Sequence, residues 1–83
     1  MEKSVFSPEY AALLRLLRET RRASNFTQIQ LAKKLRQSQS FVSKCERGER
    51  RLDVIQLRTI CRTLGTTLPV FVSELEKRLT RKA

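Results

Sequence analysis

The chain has 83 residues, 40% of them hydrophobic, with two glycines, two prolines, no tryptophan and no histidine. That length makes one domain, residues 1–83, near the lower limit for a self-sufficient core, and the apolar content excludes a disordered tail. Eighteen lysines and arginines against eight acids give a net charge of +10, which favours a polyanionic partner through phosphate neutralisation and counterion release. By charge alone, a merely soluble basic surface or an anionic membrane surface stays open.

So few breakers favour helices joined by short turns over hairpins. Residues 1–6 read as a loose N-terminal arm. Ser7, Pro8 and Glu9 then read as N-cap, first helical position and first-turn acid. Tyr10, Leu13, Leu14 and Leu17 share one face of a first helix that runs to about residue 23. Ser24 and Asn25 break it, Asn25 being suited to a left-handed cap. Thr27 followed three residues later by Gln30 is a capping box, with Phe26 and Leu31 as its hydrophobic staple. Leu31, Ala32 and Leu35 supply the apolar face of this second helix, which ends near Leu35. Arg36 and Gln37 make a very short connection to Ser38, the N-cap of a third helix over residues 39–45. Val42, Cys45 and part of Phe41 point inward there, and Gln39, Ser40, Ser43 and Lys44 point outward. Gly48 caps its C-terminus.

Glu49, Arg50 and Arg51 form a polar loop. Asp53 caps a fourth helix with the apolar stripe Ile55, Leu57, Ile60, Cys61 and Leu64, stopped by Gly65. Residues 66–69 turn the chain into a fifth helix, about 68–80, with Phe71, Val72, Leu75 and Leu79 on one side. The basic tail, residues 80–83, is expected to fray.

Several functions have no residues to carry them. Cys45 and Cys61 lack a CxxC spacing and a histidine, so there is no zinc ligand set; no metal or cofactor is expected, and both thiols read as buried and free in a reducing cytosol. The N-terminus lacks a signal-peptide core, and no run approaches the roughly 18 apolar residues of a membrane span, so a cytoplasmic protein is expected. With no histidine, no glycine-rich phosphate loop and no serine or cysteine beside a plausible base, an enzyme is not expected.

The informative unit is residues 27–48. Two short helices are separated by about three residues, and the second exposes small polar groups. A tight turn fixes the second helix at an angle at which it can enter a nucleic-acid groove, and Ala32 allows the two helices to approach closely.

Thr27, Gln28, Leu31, Ala32 and Leu35, then Ser38, Gln39, Ser40, Val42, Ser43 and Lys44, then Glu46 and Gly48, resemble the phage repressor and Cro type of helix-turn-helix, whose bacterial members are called xenobiotic-response-element (XRE) regulators. The resemblance covers about residues 10–65. It implies an all-α, lambda-repressor-like bundle of four or five helices that binds double-stranded DNA at a palindromic operator as a homodimer, most simply as a transcriptional repressor. On the matching positions it implies base contacts from Gln39, Ser40, Ser43 and Lys44. Glutamine bonds adenine bidentately, lysine reaches guanine O6 and N7, and serine is permissive. It implies phosphate contacts from Gln28, Arg47, Arg50 and Arg51, and a structural ion pair between Arg21 and Glu46. The sequence departs from the family at Arg36, where glycine is common because φ is positive. A non-glycine residue there costs about 1–2 kcal/mol; either a phosphate beside the guanidinium partly offsets it, or the turn differs from the family's.

The apolar content of the fifth helix suggests the dimer surface, through Leu68, Val70, Phe71, Val72, Leu75 and Leu79. The alternative is that Phe71 and Leu75 cap the monomer core. Two other functions fit the same unit. One is an antitoxin that also binds a toxin protein; the other is a helical protein-interaction or RNA-binding module, though interleaved aromatics for single-strand stacking are lacking.

Overall fold

Five polar side chains start five helices. Ser7, Thr27, Ser38, Asp53 and Thr67 each accept a bond from the backbone N–H three residues on, at 2.7–3.3 Å. Each satisfies a donor that the first helical turn leaves unpaired, typically worth about 1 kcal/mol. In the computed structural model, which describes residues 7–81, the helices are α1 (Pro8–Ala23), α2 (Gln28–Leu35), α3 (Gln39–Arg47), α4 (Val54–Thr63) and α5 (Leu68–Thr80). The fold is all-α, a five-helix bundle, with no strand among the described residues. The N-terminal arm, residues 1–6, and the last two residues of the basic tail lie outside the described residues; Thr80 closes α5 and Arg81 caps it.

The capping box at Thr27 is formed in both directions, and a second one, which the sequence reading missed, joins Asp53 to Gln56. Asn25 and Arg36 both adopt positive φ, 63° and 60°. Asparagine tolerates that conformation, whereas Arg36 takes the strained position where the family commonly has glycine. Gly48, at φ 83°, ends α3.

The core joins Leu16 and Leu17 of α1, Leu31 and Ala32 of α2, Val42 of α3, Leu57, Ile60 and Cys61 of α4, Leu64, and Phe71 of α5. Here α1 packs on α3 and α5, while α2 packs on α3 and α4. The Ser24 hydroxyl donates to the Leu64 carbonyl oxygen at 2.8 Å, tying the end of α1 to the end of α4.

Four expectations change. First, α3 runs two residues past Cys45, to Arg47, because the left-handed turn comes only at Gly48. Second, Leu16 is buried although it lies off the stripe of Leu13, Leu14 and Leu17; a helix packed on two neighbours buries a wider arc. Third, Ile55 is 66% exposed. It precedes Leu57 by two residues, about 200° around a helix, so the two cannot share a face. Fourth, Phe71 is 3% exposed and belongs to the monomer core, so it cannot also present itself to a second chain. On the same face Leu68 and Leu75 pack partly against the core and Leu79 is half-buried, while Val70 and Val72 stand exposed.

Candidate nucleic-acid interface

The α2–α3 unit is held from beneath by a buried polar junction. Glu46, on the inner side of α3, is 3% exposed and Arg21 of α1 is 7% exposed. Their side chains meet as a fork: Arg21 Nε donates to Glu46 Oε2 at 2.6 Å and Nη2 donates to Oε1 at 3.1 Å. The remaining Arg21 nitrogen, Nη1, donates to the Phe26 carbonyl oxygen at 2.9 Å, just before the N-cap of α2. One guanidinium therefore fixes the end of α3 and the start of α2 against α1. A bidentate pair is the geometry in which a buried charge is best satisfied.

Two further groups complete the junction. Gln28 Nε2 donates to Glu46 Oε1 at 3.0 Å. Arg18 Nη2 donates to the Glu46 backbone carbonyl at 3.3 Å. The sequence reading missed Arg18, though the signal was present: it precedes Arg21 by three residues and so lies on the same side of α1.

The opposite side of α3 faces outward. Gln39, Ser40 and Lys44 are exposed and Ser43 is half-buried. Gln39 Nε2 donates to Gln28 Oε1 at 3.4 Å, so the first residue of α3 is linked to the first residue of α2. An open groove lined by Arg22, Thr27, Gln28, Ile29 and Gln39 runs over the α2 N-terminus. There the helix dipole and unpaired amides favour an anion.

The cations flanking α3 are arranged around this face. Arg47 is bonded to the Ser43 hydroxyl and, by a fork of 2.8 and 3.2 Å, to Glu49. Its bond to Glu49 holds the Glu49 carboxyl below the usual carboxylate range and raises Arg47 itself. The Arg50 guanidinium lies over the Phe41 ring, 5.0 Å from its centroid, and Arg51 lies over Tyr10 at 4.3 Å. Phe41 is half-buried against the core, and that contact with Arg50 is what its outer face does. Arg36 is exposed in the turn between α2 and α3. Burial pushes both the Cys45 and Cys61 thiols up. Among the described residues no group of histidine, cysteine, aspartate and glutamate side chains comes together as a metal site.

Two helices joined by a tight turn, with a polar outer face on the second and a buried brace beneath it, define a helix-turn-helix protein. The helix-turn-helix family model matches residues 17–71. A solved structure, an XRE-family like protein from Pseudomonas syringae pv. tomato str. DC3000, is similar at 47% identity, with a TM-score of 0.82, covering 92% of this chain and 93% of that one. No curated protein matches the chain. The chain belongs to the XRE-type helix-turn-helix family, and it is a DNA-binding regulator. None of its described helices is long and apolar enough to cross a membrane.

Proposed function

We propose that this protein is a sequence-specific transcriptional repressor that seats α3 in the DNA major groove and acts as a homodimer on a palindromic operator. The observation that carries the reading is the two-sided character of α3. Gln39, Ser40 and Lys44 stand exposed on a helix whose other side is locked to α1 by the buried Arg21–Glu46 fork. A groove-reading helix needs both, because discrimination among base edges requires side chains held to a fixed position.

In this reading Gln39, Ser40, Ser43 and Lys44 meet base edges. Gln28, Arg36, Arg47, Arg50 and Arg51 contact phosphates and set the register. Seven basic residues lie between Lys33 and Arg51 against two acids, which supports a charge-dominated encounter. Arg47 exchanges Glu49 for phosphate when DNA arrives.

One recognition helix reads only a few base pairs, which favours two-fold pairing on half-sites about 34–36 Å apart. With Phe71 in the core, the α5 surface offered to a second copy narrows to Val70 and Val72, with Leu68, Leu75 and Leu79 at its margin. Two exposed valines are small against the roughly 1,200 Å² of a stable interface, so the pairing forms chiefly on DNA.

Selection of bound duplexes from a random pool, with a footprint on the winner, tests the proposal. The expected result is a two-fold symmetric site, with affinity falling in salt by a slope of about 0.9 per phosphate contacted. Indifference to duplex sequence, or an affinity flat across a salt titration, refutes it. Sedimentation with a palindromic duplex tests the dimer, and one chain per duplex refutes it.

A further inference from the structure

Seating α3 on DNA leaves the outer face of α4 unused. Leu57, Ile60 and Cys61 turn the other side of this helix into the core. Val54 and Ile55, in its first turn, are 60% and 66% exposed. Single exposed aliphatics are ordinary on a protein surface, but these two adjoin an apolar hollow. The hollow lies between the α2–α3 turn and α4, and its apolar walls are Leu35, Phe41, Ile55 and Ile60. Its volume is about 140 Å³. Sites for cofactors and small ligands run to roughly 300–1,000 Å³, so this one suits a single side chain.

The polar groups beside it narrow the chemistry of an occupant. Arg58 follows Val54 by four residues and Arg62 follows Arg58 by four. The two guanidiniums therefore form a row on one flank of Ile55, with the hollow on the other flank. Both arginines are exposed, and neither is ion-paired to a described acid. α4 itself, Val54–Thr63, contains no acid. The Thr59 and Thr63 hydroxyls donate to the Ile55 and Thr59 carbonyl oxygens of their own helix, at 3.1 and 2.9 Å, so those donors are already used. What remains is an aliphatic patch with a hollow on one side and uncompensated positive charge on the other.

Three occupants differ in what they bring. A DNA backbone brings phosphates for the arginines but lays its charge over Val54 and Ile55. A second copy related by a two-fold axis brings aliphatic surface but sets Arg58 and Arg62 against the same basic patch. An acidic segment of another protein brings both complements. We propose that the outer face of α4 docks an acidic segment of a partner protein, with an aliphatic anchor in the hollow beside Ile55 and carboxylates on Arg58 and Arg62. Apolar burial supplies most of the affinity, and the arginines select against neutral and basic segments.

The test is a selection of short peptides from a random library on the full chain. Peptides that also bind the triple variant Ile55→Ser, Arg58→Gln, Arg62→Gln are removed. All three side chains are exposed, so the variants are expected to melt with the unaltered chain, and thermal melting checks this. The surviving peptides are expected to be net acidic and to carry an aliphatic residue. Ile55→Ser should weaken them about tenfold to a hundredfold. Arg58→Gln with Arg62→Gln should weaken them about threefold to tenfold, an effect that 1 M salt removes. The salt slope of duplex binding should be the same in the double arginine variant as in the unaltered chain. No surviving peptide, or survivors without an acidic excess, overturns the proposal. A duplex salt slope that falls by about 0.9 per arginine removed gives the face to phosphate and also overturns it. So does Ile55→Ser if it turns a dimer on a palindromic duplex into a monomer, because a second copy then covers the face. The peptide selection uses no DNA, so its outcome is independent of the part assigned to α3.

Discussion

α1 is joined to α3 and to α5 by arginine–glutamate pairs, and the two junctions place the same chemistry in different surroundings. Beneath α3, Arg21 and Glu46 are buried, with every remaining guanidinium nitrogen and both carboxylate oxygens bonded. Between α1 and α5, Arg78 reaches Glu19 at 2.7 Å and Glu74 at 3.1 Å, and these side chains are 29%, 51% and 41% exposed. Water screens the second junction and replaces its bonds when it opens, so it contributes little. The first has no such replacement. Burying it costs desolvation, but once made it admits one geometry, and that geometry sets α3. The difference teaches that the ion pair matters here for placing the reading helix more than for net stability. On the α5 side the hydrophobic packing of Phe71, Leu68 and Leu75 does the holding.

The largest expected effect breaks the buried junction. Glu46→Ala leaves the Arg21 charge without its carboxylate and is expected to lower the unfolding free energy by about 3–5 kcal/mol in urea titrations. Arg21→Met combined with Glu46→Leu should lose less than either single change, because no lone charge remains. Additive losses would show that the two groups do not act as a pair, and the contrast between the junctions would fall.

Next in size are substitutions on the outer side of the same helix. Gln39→Ala and Lys44→Ala should each cost about 1–3 kcal/mol on the preferred duplex and relax specificity there, with unfolding almost unchanged. Arg51→Ala should instead weaken all duplexes about equally. Loss of folding in Gln39→Ala would mean that the two sides of α3 are not separable in the way the buried junction implies.

A smaller effect is expected at the α1–α5 junction. Arg78→Ala should shift the melting temperature far less than Glu46→Ala, and 1 M salt should erase most of the shift. The bond to Arg78 holds the Glu19 carboxyl below its usual range. A depressed carboxylate stabilises the fold above the ordinary carboxylate pKa, and that contribution is lost as pH falls through the lowered value. The Arg78 contribution should therefore vanish in acid and persist at neutral pH. A large, salt-resistant loss would place this junction with the buried one.

The gentlest probe changes no residue. Burial pushes the Cys45 and Cys61 thiols up, so both stay neutral and inert to iodoacetamide at pH 7–8 while the chain is folded. Cys45 adjoins Glu46 in α3, so its alkylation reports opening of that junction. It should become faster in Glu46→Ala and stay slow in Arg78→Ala. Equal labelling rates in the two variants would argue that the junctions open together.

The legible parts of this molecule are those whose physics is local. Ser7, Thr27, Ser38, Asp53 and Thr67 each declare a helix start, because the hydroxyl or carboxylate and the amide it caps lie three residues apart and nothing distant is needed. Asn25, Gly48 and Gly65 declare the ends for the same reason, through the backbone conformations they tolerate. The pairing of Arg21 with Glu46 spans 25 residues and was expected only through the family pattern, yet the geometry joins them. Arg18 went unread although its spacing from Arg21 was visible, because an arginine on a helix face carries no mark of its partner.

Composition and the spacing of caps and apolar residues were enough to determine an all-helical chain, the limits of four of its helices, and a short turn between α2 and α3. Tertiary structure decided how wide an arc of each helix faces inward. Leu16 is inside because α1 meets two neighbours, which no periodicity within the helix contains, whereas the exposure of Ile55 follows from the helical period that sets it about 200° from the buried Leu57. The sequence reading placed Phe71 at a dimer surface, with the core as the alternative; the structure puts it in the core, because α4 and α1 enclose the side of α5 that carries it. The orientation of the Gln28 amide is the finest case. The sequence places glutamines at positions 28 and 39, but the direction of the bond between them depends on a buried carboxylate brought there from the far end of α3. Hydrogen-bond direction depends on what stands across the gap, and only the fold sets that.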